Sequence, residues 1–413
     1  MIKTQDYPSK WKIASVTMLL KEGKPASNPN SYRPISLLSC VGKIFERLIL
    51  PHLVTSQIPN YQYGFRPKLS TTLQLQRLIC DASNLVNKKR GGVIVSLDVE
   101  AAFDKVPHVE LLYKLAAQKQ PRWLRNILEE YYDERTFYIK QNNKLSENRP
   151  IRAGTAQGAV LSPTLFSLYC ADLPLVGKTS YQYADDTAII SQGPSSLEAS
   201  ARMNSHLRKV HKWTENWKVK INVAKSAAMT LQGLRNTKEI NIRIGSEEIP
   251  TKPNLKYLGV TLNRKMSFGK HIQNILGNAR KKTKALLKWL AHHQELPTST
   301  KALLYRALIQ TGITYGLPAW DNITKNQEFL IHRFERSWAR KCLNKGQKFP
   351  SEELEKIIPF TTIKKLRKEI AKKNILLVTA HNNPLVHATF TNSKGLGPIK
   401  TSLDRWPLYF QDD

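Results

Sequence analysis

Between residues 72 and 90 the apolar positions recur at helical spacing, with Leu75, Leu78, Ile79, Ala82, Leu85 and Val86 on one face. Gly91-Gly92 reads as the stop of that helix. The period then changes, and the apolar run Val93-Ile-Val-Ser-Leu-Asp-Val99 predicts a buried strand. A second helix is expected around 108–118, with Leu111, Leu112, Leu115 and Ala116 inward. Phe137–Ile151 predicts a hairpin turning at Asn142-Asn143, and Tyr181–Ile190 a second one with Ala184-Asp185-Asp186 at its tip. From about residue 270 the pattern is mainly helical. Strands and helices alternate without the strict βαβ rhythm of a doubly wound sheet, so the fold class is α+β. No repeat at solenoid periods and no low-complexity stretch interrupts the pattern.

Charge adds what periodicity cannot. The 413 residues are enough for a full core and two or three lobes. They carry 64 Lys and Arg against 32 Asp and Glu, a formal net charge of +32. Such an excess repels itself in isolation and makes sense beside a polyanion, with nucleic acid first and an anionic membrane second. No apolar run approaches the roughly 18 residues of a spanning helix, and the first residues lack a signal-peptide core. No membrane partner is therefore expected. Cys40, Cys80, Cys170 and Cys342 form no CxxC pair. This fits a reducing interior, with each cysteine a small core hydrophobe. Nothing in the pattern sets an oligomeric state.

The excess is steep at the C-terminal end. Residues 264–413 hold 27 Lys and Arg and 11 Asp and Glu by direct count. Two clusters fall in helical patterns: Arg280, Lys281, Lys282, Lys284 and Lys288, then Lys364, Lys365, Arg367, Lys368, Lys372 and Lys373. Each is either a solvated helix face or a surface that tracks phosphates; the scarcity of acidic partners favours the second.

Three carboxylates carry the chemistry. Asp98 ends the apolar strand, and Asp185 and Asp186 sit at a hairpin tip. An acidic pair held in a tight turn repels itself unless a cation neutralises it. Mg²⁺ takes such oxygen ligands and keeps other positions for water and phosphate oxygens. Two ions about 4 Å apart can activate an attacking hydroxyl and stabilise a leaving pyrophosphate. On spacing alone, Asp185-Asp186 is equally a plain turn, since Asp is a common turn residue.

Further blocks decide between these readings. They are Tyr32-Arg-Pro-Ile-Ser-Leu-Leu38, Tyr63-Gly-Phe-Arg66 with Ser70-Thr71-Thr72, and Leu97-Asp-Val-Glu-Ala-Ala-Phe-Asp104. Gln157-Gly-Ala-Val-Leu-Ser-Pro163, Tyr183-Ala-Asp-Asp186, Trp217 to Lys225, and Tyr257-Leu-Gly-Val-Thr-Leu262 follow. Their order and content resemble the reverse transcriptases of non-LTR, LINE-type retroelements, most closely the jockey-like insect group. The match runs from residue 7 to about 270, with weaker similarity to about 345.

The resemblance implies a right-hand polymerase fold. Residues 1–262 would form fingers and palm, 263–345 a helical thumb-like region, and 346–413 a basic C-terminal region of unassigned role. It implies an RNA-directed DNA polymerase that adds dNTPs to a DNA primer on an RNA template. Its cofactor would be two Mg²⁺ ions, with Mn²⁺ able to substitute, and its place intracellular: the nucleus at integration, or the cytoplasm. Asp98, Asp185 and Asp186 would be the metal-binding carboxylates, and Lys225 a proton donor near the pyrophosphate or a plain structural lysine. Arg33 would hold the triphosphate, or form a surface salt bridge. Gln157 and Gly158 would pass close to the nucleotide. Phe103 would exclude the ribose 2′-hydroxyl, or be a core phenylalanine. Tyr257, Leu258 and Gly259 would grip the primer, with Lys281, Lys282 and Lys284 on nucleic acid.

The chain departs from the family at two points. Ala156 stands where proline usually precedes Gln157, which frees one φ angle, and Ala101 where related elements often carry lysine. Full elements also carry an endonuclease ahead of the polymerase. This chain starts almost directly in the first polymerase block, so it is expected not to cut its own target. The competing reading is a catalytically silent or domesticated nucleic-acid-binding remnant; the three intact carboxylates favour the enzyme.

Overall fold

A computed structural model describes residues 4–176, 179–232, 240–357 and 360–392. Residues 393–413 of the basic C-terminal region lie outside the described residues.

An N-terminal sheet is built from β1 (Ile13–Leu20) and β2 (Tyr32–Leu37), paired antiparallel, and it is followed by α1 (Cys40–Ile49). Next come α2 (Thr71–Asn87), β3 (Gly91–Leu97), α3 (His108–Ala117) and α4 (Arg122–Tyr132). The chain returns to the first sheet with β4 (Thr136–Gln141), parallel to β1, and with β5 (Lys144–Leu145) and β6 (Arg149–Pro150), both paired to β4. The expected turn is there: Asn142 and Asn143 both have positive φ, 48° and 62°, as a two-residue hairpin of right-twisted strands requires.

The central sheet adds β7 (Ser180–Tyr183) and β8 (Asp186–Gly193), then β9 (Ala227–Leu231), in the order β7-β8-β3-β9, all antiparallel. Before it runs α5 (Ser162–Tyr169), and between β8 and β9 runs α6 (Ser196–Asn216). Both faces of this sheet are buried, which is why β3 reads as a continuous apolar run. Ile94, Ala188, Ile190 and Met229 pack on Leu75, Leu78, Ile79 and Ala82 of α2. Val93, Val95, Leu97, Ile189 and Ala228 pack on Ala199, Met203, Leu207 and Val210 of α6. Each Val, Leu, Ile or Met among them contributes about 1.5–3 kcal/mol by leaving water. Serine hydroxyls start both helices: Ser70 accepts from Leu73 N, and Ser195 from Glu198 N.

One local expectation is corrected here. Gly91-Gly92 does not stop α2, which ends at Asn87; both glycines belong to β3, opposite Gly193 and Gln192. A Cβ on Gly91 would lie 2.2 Å from Ser195 C, and one on Gly92 2.8 Å from Leu231 Cδ1. Close packing, not a turn, selects glycine there. Cys40 is likewise exposed, whereas the other three cysteines are buried as expected.

Two small hairpins follow: β10 (Arg243–Ile244) with β11 (Glu247–Glu248), and β12 (Asn254–Tyr257) with β13 (Val260–Asn263). The rest is helical: α7 (Gly269–Ala291), α8 (Thr298–Tyr305), α9 (Thr311–Thr314), α10 (Leu317–Trp320), α11 (Lys325–Cys342), α12 (Ser351–Ile357), α13 (Ile363–Thr379) and α14 (Pro384–Asn392). The helices from α7 to α13 share one hydrophobic core with α2 and β12-β13. The chain then folds back: Val378 and Val386 pack on Tyr63 and Leu73, and Asn383 Nδ2 donates to Asn60 O at 3.0 Å. Among the described residues, no helix is long and apolar enough to cross a membrane.

Candidate active site

Asp98 is the first residue past β3, and its backbone is held on both sides. Its N–H donates to Ser226 Oγ (3.1 Å), and its carbonyl accepts from Asn222 N (2.7 Å). Glu100 N donates to Lys220 O at 2.8 Å, so the segment before β9 runs antiparallel to the strand's exit. That segment carries Lys225, whose Nζ lies 3.9 Å from Asp98 Oδ2.

Asp185 and Asp186 enter from the neighbouring hairpin. Tyr183 pairs with Asp186, leaving Ala184 and Asp185 as the turn, with Ala184 at φ 57°. A side chain that the sequence did not single out fixes this turn. Gln62, 1% exposed, donates from Nε2 to Ala184 O (3.1 Å), while its Oε1 accepts from Ala184 N (2.9 Å) and Gly64 N (2.8 Å). Tyr63 N also donates to Gln182 O at 2.8 Å. A Cβ on Gly64 would lie 2.2 Å from Ala184 N, so glycine is required where this segment slides under the turn. The signal for Gln62 was a polar residue between two tyrosines, beside a block already singled out.

The electrostatics follow from this crowding. Burial pushes the Asp186 carboxyl up to about 6, helped by the charges of Asp185 and Asp98. Burial also raises Asp185, with Asp98 adding to it and its own backbone N–H opposing. The three carboxylates therefore feel one another. Among the described residues, no three His, Cys, Asp or Glu side chains close into a cage around one point. An ion here would need further ligands from water or substrate.

On the other side of the site, the loop before α5 is stitched to the segment after Asp98. Thr155 N donates to Phe103 O and Gly154 N to Val106 O, both at 2.7 Å. Gln157 Nε2 donates to Asp104 Oδ1 at 2.8 Å, and Gln157 O accepts from Ser36 N of β2 at 2.8 Å. Gly158 has φ +127°, and a Cβ there would lie 2.5 Å from Ser36 O. Its missing side chain thus serves a backbone approach to β2. Ala156, in place of the usual proline, accepts from Ser162 Oγ at 2.9 Å, which ties the loop down.

Phe103 is half-buried, its ring 4.7 Å from Phe166 and 6.0 Å from Phe65 between centroids. Arg33 is exposed on β2, opposite Leu19, and forms no ion pair among the described residues. Tyr257, expected at the nucleic acid, is instead 2% exposed and donates to Tyr181 O at 2.9 Å. Its ring props the β12-β13 hairpin, whose turn Leu258-Gly259 has φ of 41° and 82°, with Gly259 exposed. Tyr315 OH donates to Leu258 O at 3.1 Å and braces that turn.

Lys281, Lys282 and Lys284 are exposed on α7. Arg280 and Lys284 face Arg333 and Lys341 of α11 across a groove of about 470 Å³ without a carboxylate on its walls. The second basic cluster divides. Lys364, Lys365 and Lys373 are exposed, but Arg367 turns inward to Asp321 (2.5 Å) and Glu328 (2.8 Å) and is a core ion pair.

Residues 20–262 match the family model described as reverse transcriptase (RNA-dependent DNA polymerase). The chain is 33% identical to the RNA-directed DNA polymerase from mobile element jockey of Drosophila melanogaster, over 97% of this chain and 45% of the relative. It is 31% identical to the probable RNA-directed DNA polymerase from transposon X-element of the same species, over 78% of this chain and 36% of the relative. It thus spans less than half the length of these relatives. Among solved structures, apo telomerase from Candida tropicalis aligns over 94% of this chain and 66% of its own, with TM-score 0.45 and 10% identity. With more than half of its length matched by that family model, the chain belongs to the reverse transcriptase (RNA-dependent DNA polymerase) family.

Proposed function

We propose that this chain is the polymerase of a non-LTR retroelement, extending a DNA primer along an RNA template by addition of dNTPs. One observation carries the reading: Leu97 pairs with Thr187 and Tyr183 with Asp186, which sets Asp98, Asp185 and Asp186 together at adjacent strand ends. Hard oxygen donors with too little positive charge around them suit divalent cations. These side chains would hold two Mg²⁺, or Mn²⁺ in their place. The chemistry supplied there, with such ions bound, would be a lowered pKa of the primer hydroxyl and neutralisation of the leaving pyrophosphate.

The protein's own groups supply the rest. The Gln62 clamp holds Asp185 and Asp186 at fixed height, so little reorganisation is needed when charge develops. Lys225 can give a proton to the pyrophosphate from the Asp98 side. Gln157, Gly158 and Phe103 would border the incoming nucleotide, with Arg33 reaching its phosphates. Leu258-Gly259 and the lysines of α7 would follow the primer and template backbones. In this division residues 1–262 act as fingers and palm and 263–345 as thumb, while Val378 and Val386 further on pack against Tyr63 and Leu73. Insertion into a chromosome would put the step in the nucleus.

The test is primer extension on an RNA template with Mg²⁺ and dNTPs. Template-dependent extension by wild type, lost in Asp185→Asn, is expected. No extension under any divalent ion would overturn the reading.

A further inference from the structure

The loop that carries Gln157 and Gly158 is gripped at two points by one stretch of chain, residues 32–49. Ser36 of β2 donates to Gln157 O. The second point is a buried carboxylate. Glu46 of α1 is 1% exposed, and its Oε2 accepts from Val160 N at 2.6 Å and from Leu161 N at 3.1 Å. These N–H groups sit at the entrance to α5, where the helix's positive end favours an anion. A carboxylate costs a good deal to bury unless charge-assisted bonds hold it. Burial pushes the Glu46 carboxyl up, opposed by the two backbone N–H groups and by Arg135.

A surface residue or an apolar side chain would fill α1 without this cost. The arrangement locks both ends of Gln157–Leu161 to the segment that also carries Arg33. We propose that Glu46 is a positioning residue for nucleotide binding: it fixes the distance between Gln157-Gly158 and the β2 strand bearing Arg33, and so sets dNTP affinity. The proposal rests on the polymerase reading above. Glu46 touches no substrate and acts through the loop.

The experiment is steady-state primer extension by the full chain at varied dNTP concentration, with melting temperature and template–primer affinity measured beside it. Glu46→Gln keeps the volume and one acceptor oxygen but loses the charge; Glu46→Asp keeps the charge but pulls it back by one methylene. In each, KM for dNTP should rise about 10-fold to about 100-fold, the scale of a weakened charge-assisted hydrogen bond. The value of kcat and template–primer affinity should change less than about threefold. The rise should be smaller in Gln, whose oxygen still reaches both N–H groups. Should Glu46→Ala fail to fold, the two conservative variants still decide the matter. A KM within about twofold of wild type in both, with a lowered melting temperature, would make Glu46 a core residue and end the proposal. Absence of extension by wild type removes the polymerase reading itself, and this proposal with it.

Discussion

Lys225 Nζ stands 3.9 Å from Asp98 Oδ2, and among the described residues no other cation comes within ion-pair distance of Asp98, Asp185 or Asp186. One exposed ammonium cannot neutralise three carboxylates, so the site is held short of positive charge. Replacing Asp98 or Asp185 by Asn keeps the volume and removes a charge. Extension with Mg²⁺ should fall by about 1,000-fold or more, since transition-state electrostatics is usually the largest catalytic contribution. Template RNA binding should persist, and the metal-free melting temperature should not drop, because repulsion is relieved. Near-normal extension in either variant would end the assignment.

Phe103 has one face on Phe166 and an edge toward Phe65. A half-buried ring can exclude a 2′-hydroxyl by overlap alone. Phe103→Val should raise rNTP incorporation relative to dNTP by about 10-fold to about 1,000-fold, on the order of 1–4 kcal/mol of lost discrimination. The contact with Phe166 implies a modest loss of stability as well. Measuring the rNTP/dNTP ratio beside the melting temperature separates the two roles, and an unchanged ratio removes the gate.

The lysines of α7 make a salt prediction. If Lys281, Lys282 and Lys284 meet phosphates, changing all three to Gln should reduce the slope of log affinity against log salt by about 2–3, at roughly 0.7–0.9 per contact. A slope equal to wild type would mean these charges lie on an unrelated solvated face. Arg367 serves as a contrast: its partners Asp321 and Glu328 predict that Arg367→Ala lowers stability, with little change in the salt slope.

Stability should vary with pH through Glu335, a buried carboxyl on α11. Burial pushes it up to about 7, opposed by bonds from Ile363 N and Gln310. Its folded-state value thus exceeds its unfolded one, near 4.5. The folded protein holds the proton more tightly, so this contribution is fully present below about 4.5 and is lost as pH rises through about 7. Asp186, pushed to about 6, acts in the same direction. Subtracting the Glu335→Gln melting profile from wild type between pH 5 and 8 isolates Glu335. Parallel profiles would contradict the shift.

The order of elements around the site was legible in the sequence. The strand ending at Asp98, the hairpin with Ala184-Asp185-Asp186 at its tip (Asp186 proved to be the first residue of β8), and the Asn142-Asn143 turn all came from period and turn chemistry. These are local signals: alternation or a helical stripe records which way each side chain points, and a turn records its own φ angles. The family, too, was readable from short blocks in a fixed order.

Partners far apart in the chain were settled by packing alone. Gln62 holds Ala184 across 122 positions, and Glu46 holds Val160 across 114; neither pairing leaves a periodic trace. Gly91-Gly92 had the composition of a stop, but the close approach of Ser195 and Leu231 made it strand. That Gly158 also makes room for Ser36 O of β2, in the space a side chain would need, left no mark in the sequence. Tyr257 and Arg367 lay in segments read as nucleic-acid surface, yet Tyr181 O takes the one and Asp321 with Glu328 the other. A buried polar group is stable only with a partner, and that partner is set by which elements pack together, which one-dimensional pattern does not encode.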